Sequence, residues 1–140
     1  MRRARVLSVD EGLEAALARL EAILRRAGAA IVPLLHPGID EAEVTSILAG
    51  VGLRPSAELV TWFGWHDGAG SPGVPSVAIR FVPGGEFYDL RHLCDEYDMT
   101  RSAASDVAAM PGGVFHAEEL WRAHWFPLLG CSARASSRSI

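Results

Sequence analysis

The segment between Pro55 and Gly68 limits most strongly what this chain can fold into. Pro55 cannot continue a preceding helix, Ser56 can cap a new one, and Asp67-Gly68 supplies a turn. The side chains on one face between these limits follow the helical spacing i, i+3, i+4, i+7: Leu59, Trp62, Phe63 and His66. We therefore predict a short helix with Trp62 in the core, whereas Trp65 lies off this stripe and covers another surface or faces solvent.

Three further helices are indicated by apolar spacing and capping residues. The first runs from a capping box at Ser8 to a stop at Gly28, and the second starts at Asp40 and buries Val44 and Leu48. The third is the helix between Pro55 and Gly68. A fourth is predicted within residues 86–99, whose apolar side chains recur at near-helical intervals. The alanine-rich and serine-rich residues 99–113 suit a mobile linker or a weak helix.

Signals for extended structure are shorter and fewer. Prolines and a glycine at 33, 37 and 38 make IVPLL an extended piece or a loop. SVAIRFVP alternates well enough for a strand, and GGVFHA suits another. Helical segments outnumber strands, and nothing suggests the strand and helix alternation of a doubly wound sheet.

Composition bounds the class of protein. The 140 residues are 49% hydrophobic and 21% charged, which is typical of one globular domain. A net charge of −4 argues against general nucleic-acid binding, which needs clustered cations. The first residues reach acidic side chains before any apolar run long enough for a signal peptide, and no apolar run has membrane length, while the spacing of Cys94 and Cys131 indicates no disulfide framework. We expect a cytoplasmic protein that uses neither membrane nor nucleic acid as a partner.

Candidate catalytic residues are weakly indicated. His66 and Asp67 are adjacent, but neighbouring residues on a helix rarely face each other. The later histidines His92, His116 and His124 have no metal-ligand spacing, and the glycine pairs have no phosphate-loop pattern. We therefore expect no catalytic set, no metal and no cofactor. The alternative is a small hydrolase or metal enzyme using His66, Asp67 and His124.

Two motifs carry a resemblance to a known family. VGLRPSAELVTWFGWHDG resembles the signature of the SMI1/KNR4 family of the SUKH superfamily, a glycine and proline step, an aromatic helix and an Asp-Gly turn. LWRAHWFPLLG is similar to the family's late Trp to Phe-Pro element. The matching positions are Gly52, Pro55, Leu59, Trp62, Phe63, Asp67, Gly68, Trp121, Trp125, Phe126 and Pro127. The chain departs from the family at Arg54, where leucine is usual, and after residue 130, where further strands normally follow.

The resemblance implies an α+β domain over residues 1–130, with helices packed around a small, mainly antiparallel sheet that is either complete or truncated at its carboxyl end. SUKH proteins of bacteria resemble immunity proteins that neutralise toxins, often nucleases, and fungal relatives regulate cell-wall assembly. The expected function is thus non-enzymatic binding of a protein partner, with a cognate toxin as the candidate. A regulatory or structural interaction module is a further alternative. The expected partner-binding residues are Trp65, Asp67, Gly68, Trp121 and Trp125.

The end of the chain gives the first testable expectation. If the family's later strands are absent, a strand at 126–129 would have no following neighbour. The serines and arginines of residues 131–140 cannot bury enough apolar area to offset the entropy of ordering. We expect a disordered tail on a domain that is either truncated and marginally stable or completed by another chain. Hydrogen exchange tests this: slow exchange throughout 126–140 in a dilute monomer would contradict it.

Overall fold

A computed structural model describes residues 9–82, 85–120 and 125–130, in which helices dominate over a two-stranded antiparallel sheet. The α-helices are α1 (Val9–Arg26), α2 (Glu41–Ala49), α3 (Ala57–Trp65), α4 (Leu90–Ala108) and α5 (Ala117–Leu120). Short 3-10 helices span Val32–Leu34 and Ser76–Ile79, and strands β1 (Arg80–Val82) and β2 (Gly85–Glu86) pair Arg80 with Glu86. The predicted α+β fold class is confirmed.

Capping side chains fix where three of the helices begin. Asp40 accepts a hydrogen bond from the Glu43 amide at 2.8 Å, and Ser56 accepts one from Leu59 at 3.2 Å. Each bond satisfies a first-turn amide that has no partner within the helix. Asp89 caps α4 in the same way. The predicted starts of α2 and α3 are therefore confirmed.

Glycines end two of the helices as predicted. Gly28, two residues beyond α1, has φ +65°, and Gly68, after α3, has φ +72°. A side chain would strain the backbone at both positions. The predicted cap at Ser8 and the predicted tail at 131–140 lie outside the described residues.

Several predictions of local structure were wrong, among them the non-helical IVPLL, which contains the 3-10 helix Val32–Leu34, whereas the weak-helix alternative for 99–113 is confirmed up to Ala108. Helix α4 begins at Leu90, because Glu86 belongs to β2, and it continues to Ala108 through residues predicted as linker or weak helix. Alanine is the strongest helix former, and buried Ala104 adds a packed side chain there. Residues 112–116 and 126–129 form no strand, and 76–79 are 3-10 helix. Pro127 has no amide to donate to a ladder, which disfavours a strand there.

Two hydrophobic clusters form the core, and Trp62 packs against both. The first joins α2, α3 and α4 through the buried residues Val44, Leu48, Phe63, Leu90, Leu93 and Cys94. The second joins the loops and the sheet through Ile31, Ala69, Ile79 and Phe87. Trp62, predicted to be core, is partly buried between them. Burial raises the pKa of the Cys94 thiol to about 11, so this thiol stays protonated at neutral pH.

The backbones before α2 and within α3 cross at two glycines. A Cβ on Gly38 would lie 1.8 Å from the Gly64 carbonyl oxygen, a distance that no side chain can occupy. Ile39 next to it donates to the Phe63 carbonyl at 2.9 Å. Gly38 is therefore required by the close approach of two backbones.

We predict that Gly38→Ala lowers the free energy of unfolding by about 3 kcal/mol, since the clash is with backbone that cannot rotate away. Gly12→Ala is the matched control, because Gly12 lies within α1 and nothing surrounds its Cβ position. Alanine there should raise the stability by about 0.5–1 kcal/mol. Urea unfolding measures both variants. Equal stability of the Gly38→Ala variant and the wild type would show that the crossing is not tight.

Candidate functional site

The turn after α3 is hydrogen-bonded to three other segments. His36 donates its amide to the Gly68 carbonyl at 3.0 Å, and Gly70 donates to Leu34 at 2.9 Å, so residues 66–70 run along 34–37. On the other side, Ala69 donates to the Phe87 carbonyl at 2.8 Å. We call this meeting of residues 34–37, 66–70 and 87 the junction. The predicted partner-binding residues Asp67 and Gly68 lie within it.

His36 binds the turn through its side chain. Its Nδ1 lies 2.9 Å from the Asp67 carbonyl oxygen and its Nε2 lies 3.0 Å from the Gly70 carbonyl oxygen. Both partners are acceptors, so a ring nitrogen that carries a proton donates to the carbonyl it faces, and the ring lies between the two ends of the turn. Sequence analysis did not single out His36, because its partners lie more than 30 residues away along the chain.

His66 makes the next connection, between α3 and α1. Its Nδ1 lies 2.7 Å from the His36 carbonyl oxygen, and its Nε2 hydrogen-bonds the Glu21 carboxylate. The hydrogen bond from His66 is the main reason why the pKa of Glu21 lies below its ordinary value. Arg25, one turn along α1, lies 3.5 Å from the other Glu21 oxygen. Glu21 was likewise missed by sequence analysis.

Asp67 points to a different element from His66. Its Oδ1 accepts the amide of Leu90, the first residue of α4, at 2.8 Å. Burial raises the pKa of this carboxyl group above its ordinary value, although the hydrogen bond from Leu90 acts in the opposite direction. The adjacent pair His66 and Asp67 therefore joins α3 to α1 and to α4, and each side chain serves a separate contact.

The remaining titratable candidates are dispersed. His92 lies on α4, 3.4 Å from Glu96, and stacks on the Tyr88 ring at 3.9 Å. His124 lies outside the described residues. Among residues 9–82, 85–120 and 125–130, no three His, Cys, Asp or Glu side chains are grouped so that they could hold a metal ion.

An aromatic cluster lies beside the junction and includes Trp65. Its ring is stacked with those of Phe81 and Phe87 at centroid distances of 6.3 Å and 5.9 Å, and it is 5.8 Å from Trp62. The buried indole nitrogens of Trp62 and Trp65 have no acceptor among the described residues. Trp65 thus covers another surface, which is one of the two predicted outcomes. Its role in partner binding stays a prediction.

Two grooves flank α3. The acidic groove, of about 440 Å³, is lined by α1 and α3, and its polar walls include Glu14, Glu21 and Thr61 beside Trp65. The apolar groove, of about 530 Å³, contains Ser56 and Glu58 but is otherwise walled by apolar side chains: Leu13, Leu59, Trp62, Phe126 and Leu128.

The apolar groove brings the two sequence motifs together. Leu59 and Trp62 come from the first motif, whereas Phe126 and Leu128 come from the second. Phe126 packs against the first cluster, with its ring 5.7 Å from that of Tyr97. At the end of the second motif, Gly130 exchanges both backbone hydrogen bonds with Glu86 at 2.8 Å and 2.9 Å. The chain therefore returns from the groove to the edge of β2.

The other predicted site residues have the following positions. Gly52 has φ +76° after α2, a conformation that favours glycine, and Pro55 precedes the α3 cap. Trp125 is 44% exposed and could contact a partner, while Pro127 is partly buried next to Phe126. Trp121 lies outside the described residues. The described members of the predicted partner-binding set are therefore separated. Asp67 and Gly68 lie in the junction, Trp65 lies in the aromatic cluster, and Trp125 lies at the start of the segment 125–130.

A scan of the chain against protein-family models, a search of curated proteins and a search of solved structures each found no match. No helix of the described residues is long and apolar enough to cross a membrane.

We predict that Glu21→Gln lowers the free energy of unfolding by about 1 kcal/mol at pH 7, because the charged acceptor of His66 is lost. Since the folded-state pKa of Glu21 is lowered from 4.5, its contribution is present above that pH and disappears as the pH falls through the lowered pKa. Glu14→Gln, on the same helix, is the control and should change stability by under about 0.5 kcal/mol. Urea unfolding from pH 7 to pH 3 measures both. If the difference in stability between the wild type and the Glu21→Gln variant did not shrink as the pH fell from 7 to 3, this contribution would be contradicted.

Proposed function

We propose that this protein is a non-enzymatic, cytoplasmic protein-binding domain of the immunity type, whose partner is a cognate toxin with a nuclease as the leading candidate. The observation that supports this most is the apolar groove. Its walls come from both of the motifs that resemble the SMI1/KNR4 family. A site assembled from two distant segments that share one resemblance is the natural place for the partner.

The chemistry of the apolar groove suits an anchoring side chain of a protein. Binding energy at interfaces is concentrated where a few aromatic or aliphatic groups fill a desolvated pocket. Trp62 and Phe126 pack against the first core cluster, so these walls are held before a partner arrives. Leu128 is 44% exposed at this groove and offers further apolar contact area. A preformed apolar pocket reduces the ordering cost of binding.

Charge is compatible with the proposed partner. The protein carries a formal net charge of −4, and nucleases that bind nucleic acid present cationic surfaces. Opposite net charges speed the encounter of two proteins and disfavour partners of the same sign. This charge supports the role without specifying which toxin is bound.

The hydrolase alternative draws no support from the geometry at His66 and Asp67. A general base needs a ring nitrogen within reach of the substrate, and both nitrogens of His66 have internal partners. The Asp67 oxygen that is hydrogen-bonded accepts from the backbone of α4. A regulatory module would use the same apolar groove for a different partner, so the identity of the bound protein separates it from the immunity role.

Co-expression with the product of an adjacent toxin gene tests the proposal. We expect the two proteins to copurify, and we expect Leu128→Arg to weaken binding by tenfold or more, about 1.4 kcal/mol, because it places a cation in the apolar groove. Val77→Arg is the control, since Val77 is 57% exposed and lies in the 3-10 helix Ser76–Ile79, outside the groove lining. Calorimetric titration measures both variants.

Two results would overturn the proposal. If no toxin gene adjoins this one and no partner copurifies, the immunity role fails. If a toxin binds but Leu128→Arg and Val77→Arg have equal affinity for it, binding occurs elsewhere and the apolar groove is not the site.

A further inference from the structure

Helix α4 has two apolar faces, and the core uses one of them. The buried face carries Leu90, Leu93, Cys94, Tyr97 and Ala104. A second set consists of three helical residues at i, i+4 and i+8, which lie within about 80° of the helix circumference at 3.6 residues per turn, and of a methionine two residues beyond the helix end. We call this set the outer stripe: Met99, Ala103, Val107 and Met110. It points away from the buried face.

The outer stripe is open to solvent. Met99 is 59% exposed, Val107 is 44% exposed and Met110 is 60% exposed, and Ala103 is exposed as well. The chain then turns, with Gly113 donating to the Met110 carbonyl at 3.0 Å, and continues into two more exposed apolar residues, Val114 and Phe115. Contiguous exposed apolar surface on a globular domain is a marker of interaction sites.

Acidic residues flank the outer stripe. Asp95 and Asp106 fall on one side of it by helical spacing, and both are exposed, while Glu96 lies in line with the stripe, three residues before Met99, and 3.4 Å from His92. The Arg101 guanidinium is directed to the opposite part of the helix, 5.4 Å above the Tyr97 ring. Arg91 lies two turns before Met99, near the start of α4. The rim of the apolar residues is therefore negative.

We propose that the outer stripe is a second docking surface, which binds an amphipathic helix of a protein partner whose apolar face is bordered by lysine or arginine. A helix packs its apolar side chains into such a stripe at i, i+3, i+4 and i+7, and methionines adapt their shape to it. A cationic border of the bound helix meets Asp95 and Asp106, which are both exposed. The helical part of the stripe, from Met99 to Val107, extends for roughly 12 Å, the rise of eight residues, or about two helical turns.

A second copy of this chain fits the surface less well. Two copies could pair through antiparallel α4 helices, with the middle of the stripe on the two-fold axis. In that arrangement Asp106 of each copy would approach the axis that the copies share. Like charges facing each other oppose association. The net charge of −4 on each copy adds to this repulsion. Charge therefore selects a cationic partner over self-association.

The outer stripe is separate from the apolar groove. The groove is lined by residues of α1, α3 and the 125–130 segment, and its Phe126 faces buried Tyr97 on the core side of α4. The two surfaces thus lie on different sides of α4. This inference does not depend on the proposed toxin partner, and each surface can fail its test while the other passes.

The probe for the test is a synthetic amphipathic peptide of about 18 residues, long enough to form a helix, with leucines on one face and lysines and arginines bordering it. A matched peptide carries glutamates in place of the cations. Fluorescence anisotropy at low and high salt measures binding to the full-length protein. We expect the cationic peptide to bind at least about tenfold more tightly than the acidic one, with the difference reduced by salt.

Variants at exposed positions locate the binding. Val107→Ser with Met110→Ser should weaken the cationic peptide about tenfold. The double variant Asp95→Asn with Asp106→Asn should weaken binding of the cationic peptide several-fold, and it should do so only at low salt. Ile23→Ser with Val77→Ser is the control, because both residues are equally exposed but lie on other elements. Leu128→Arg, in the apolar groove, should bind the peptide as the wild type does.

Three results would overturn the inference. The first is equal binding of the cationic and acidic peptides, and the second is equal weakening by the stripe and control variants. The third is a concentration-dependent dimer in sedimentation equilibrium that dissociates in the stripe variant, which would assign the surface to a second copy. Melting temperatures confirm that each variant is folded, and Met99→Ser replaces any stripe variant that is not.

Discussion

The close crossing of two backbones at Gly38 and Gly64 is the constraint on which the rest of the structure depends. With no Cβ on Gly38, the Gly64 carbonyl can approach it, and Ile39 can donate to Phe63. That contact fixes the chain just before Asp40, where α2 begins, against the end of α3. The first core cluster depends on this relative position of α2 and α3, because its buried residues come from α2, α3 and α4.

Polar contacts extend this crossing to the other helices. His66 reaches α1 through Glu21, and Asp67 reaches the first amide of α4. A second close approach helps to position α4, since a Cβ on Gly68 would lie 2.3 Å from the Asp89 amide nitrogen. A buried carboxyl group is costly unless it is hydrogen-bonded, and the Leu90 amide supplies that bond for Asp67. The residues that most resemble a catalytic pair thus connect elements of the fold.

The sequence predicted those parts of the fold that depend on contacts between residues close together along the chain. The starts of α2 and α3 follow from Asp40 and Ser56, whose bonds span three residues. The junction was not predictable in the same way, because His36 binds carbonyls 31 and 34 residues away and His66 binds Glu21 from a distance of 45 residues. The extent of α4 was missed because its carboxyl half has few buried residues. The two motifs lie far apart in the sequence, and only their meeting at Trp62 and Phe126 forms the apolar groove.

The two proposed surfaces differ in how they depend on the core. Leu59, Trp62 and Phe126 line the apolar groove and also pack against the first cluster, so a change in any of them alters stability and binding together. The outer stripe of α4 makes no such contribution, because its side chains lie on the face away from the buried residues. Exposed methionine and valine side chains stabilise a globular domain little. A groove built from core residues is therefore constrained by folding as well as by binding. Residues of the outer stripe can change with a partner while the fold stays the same.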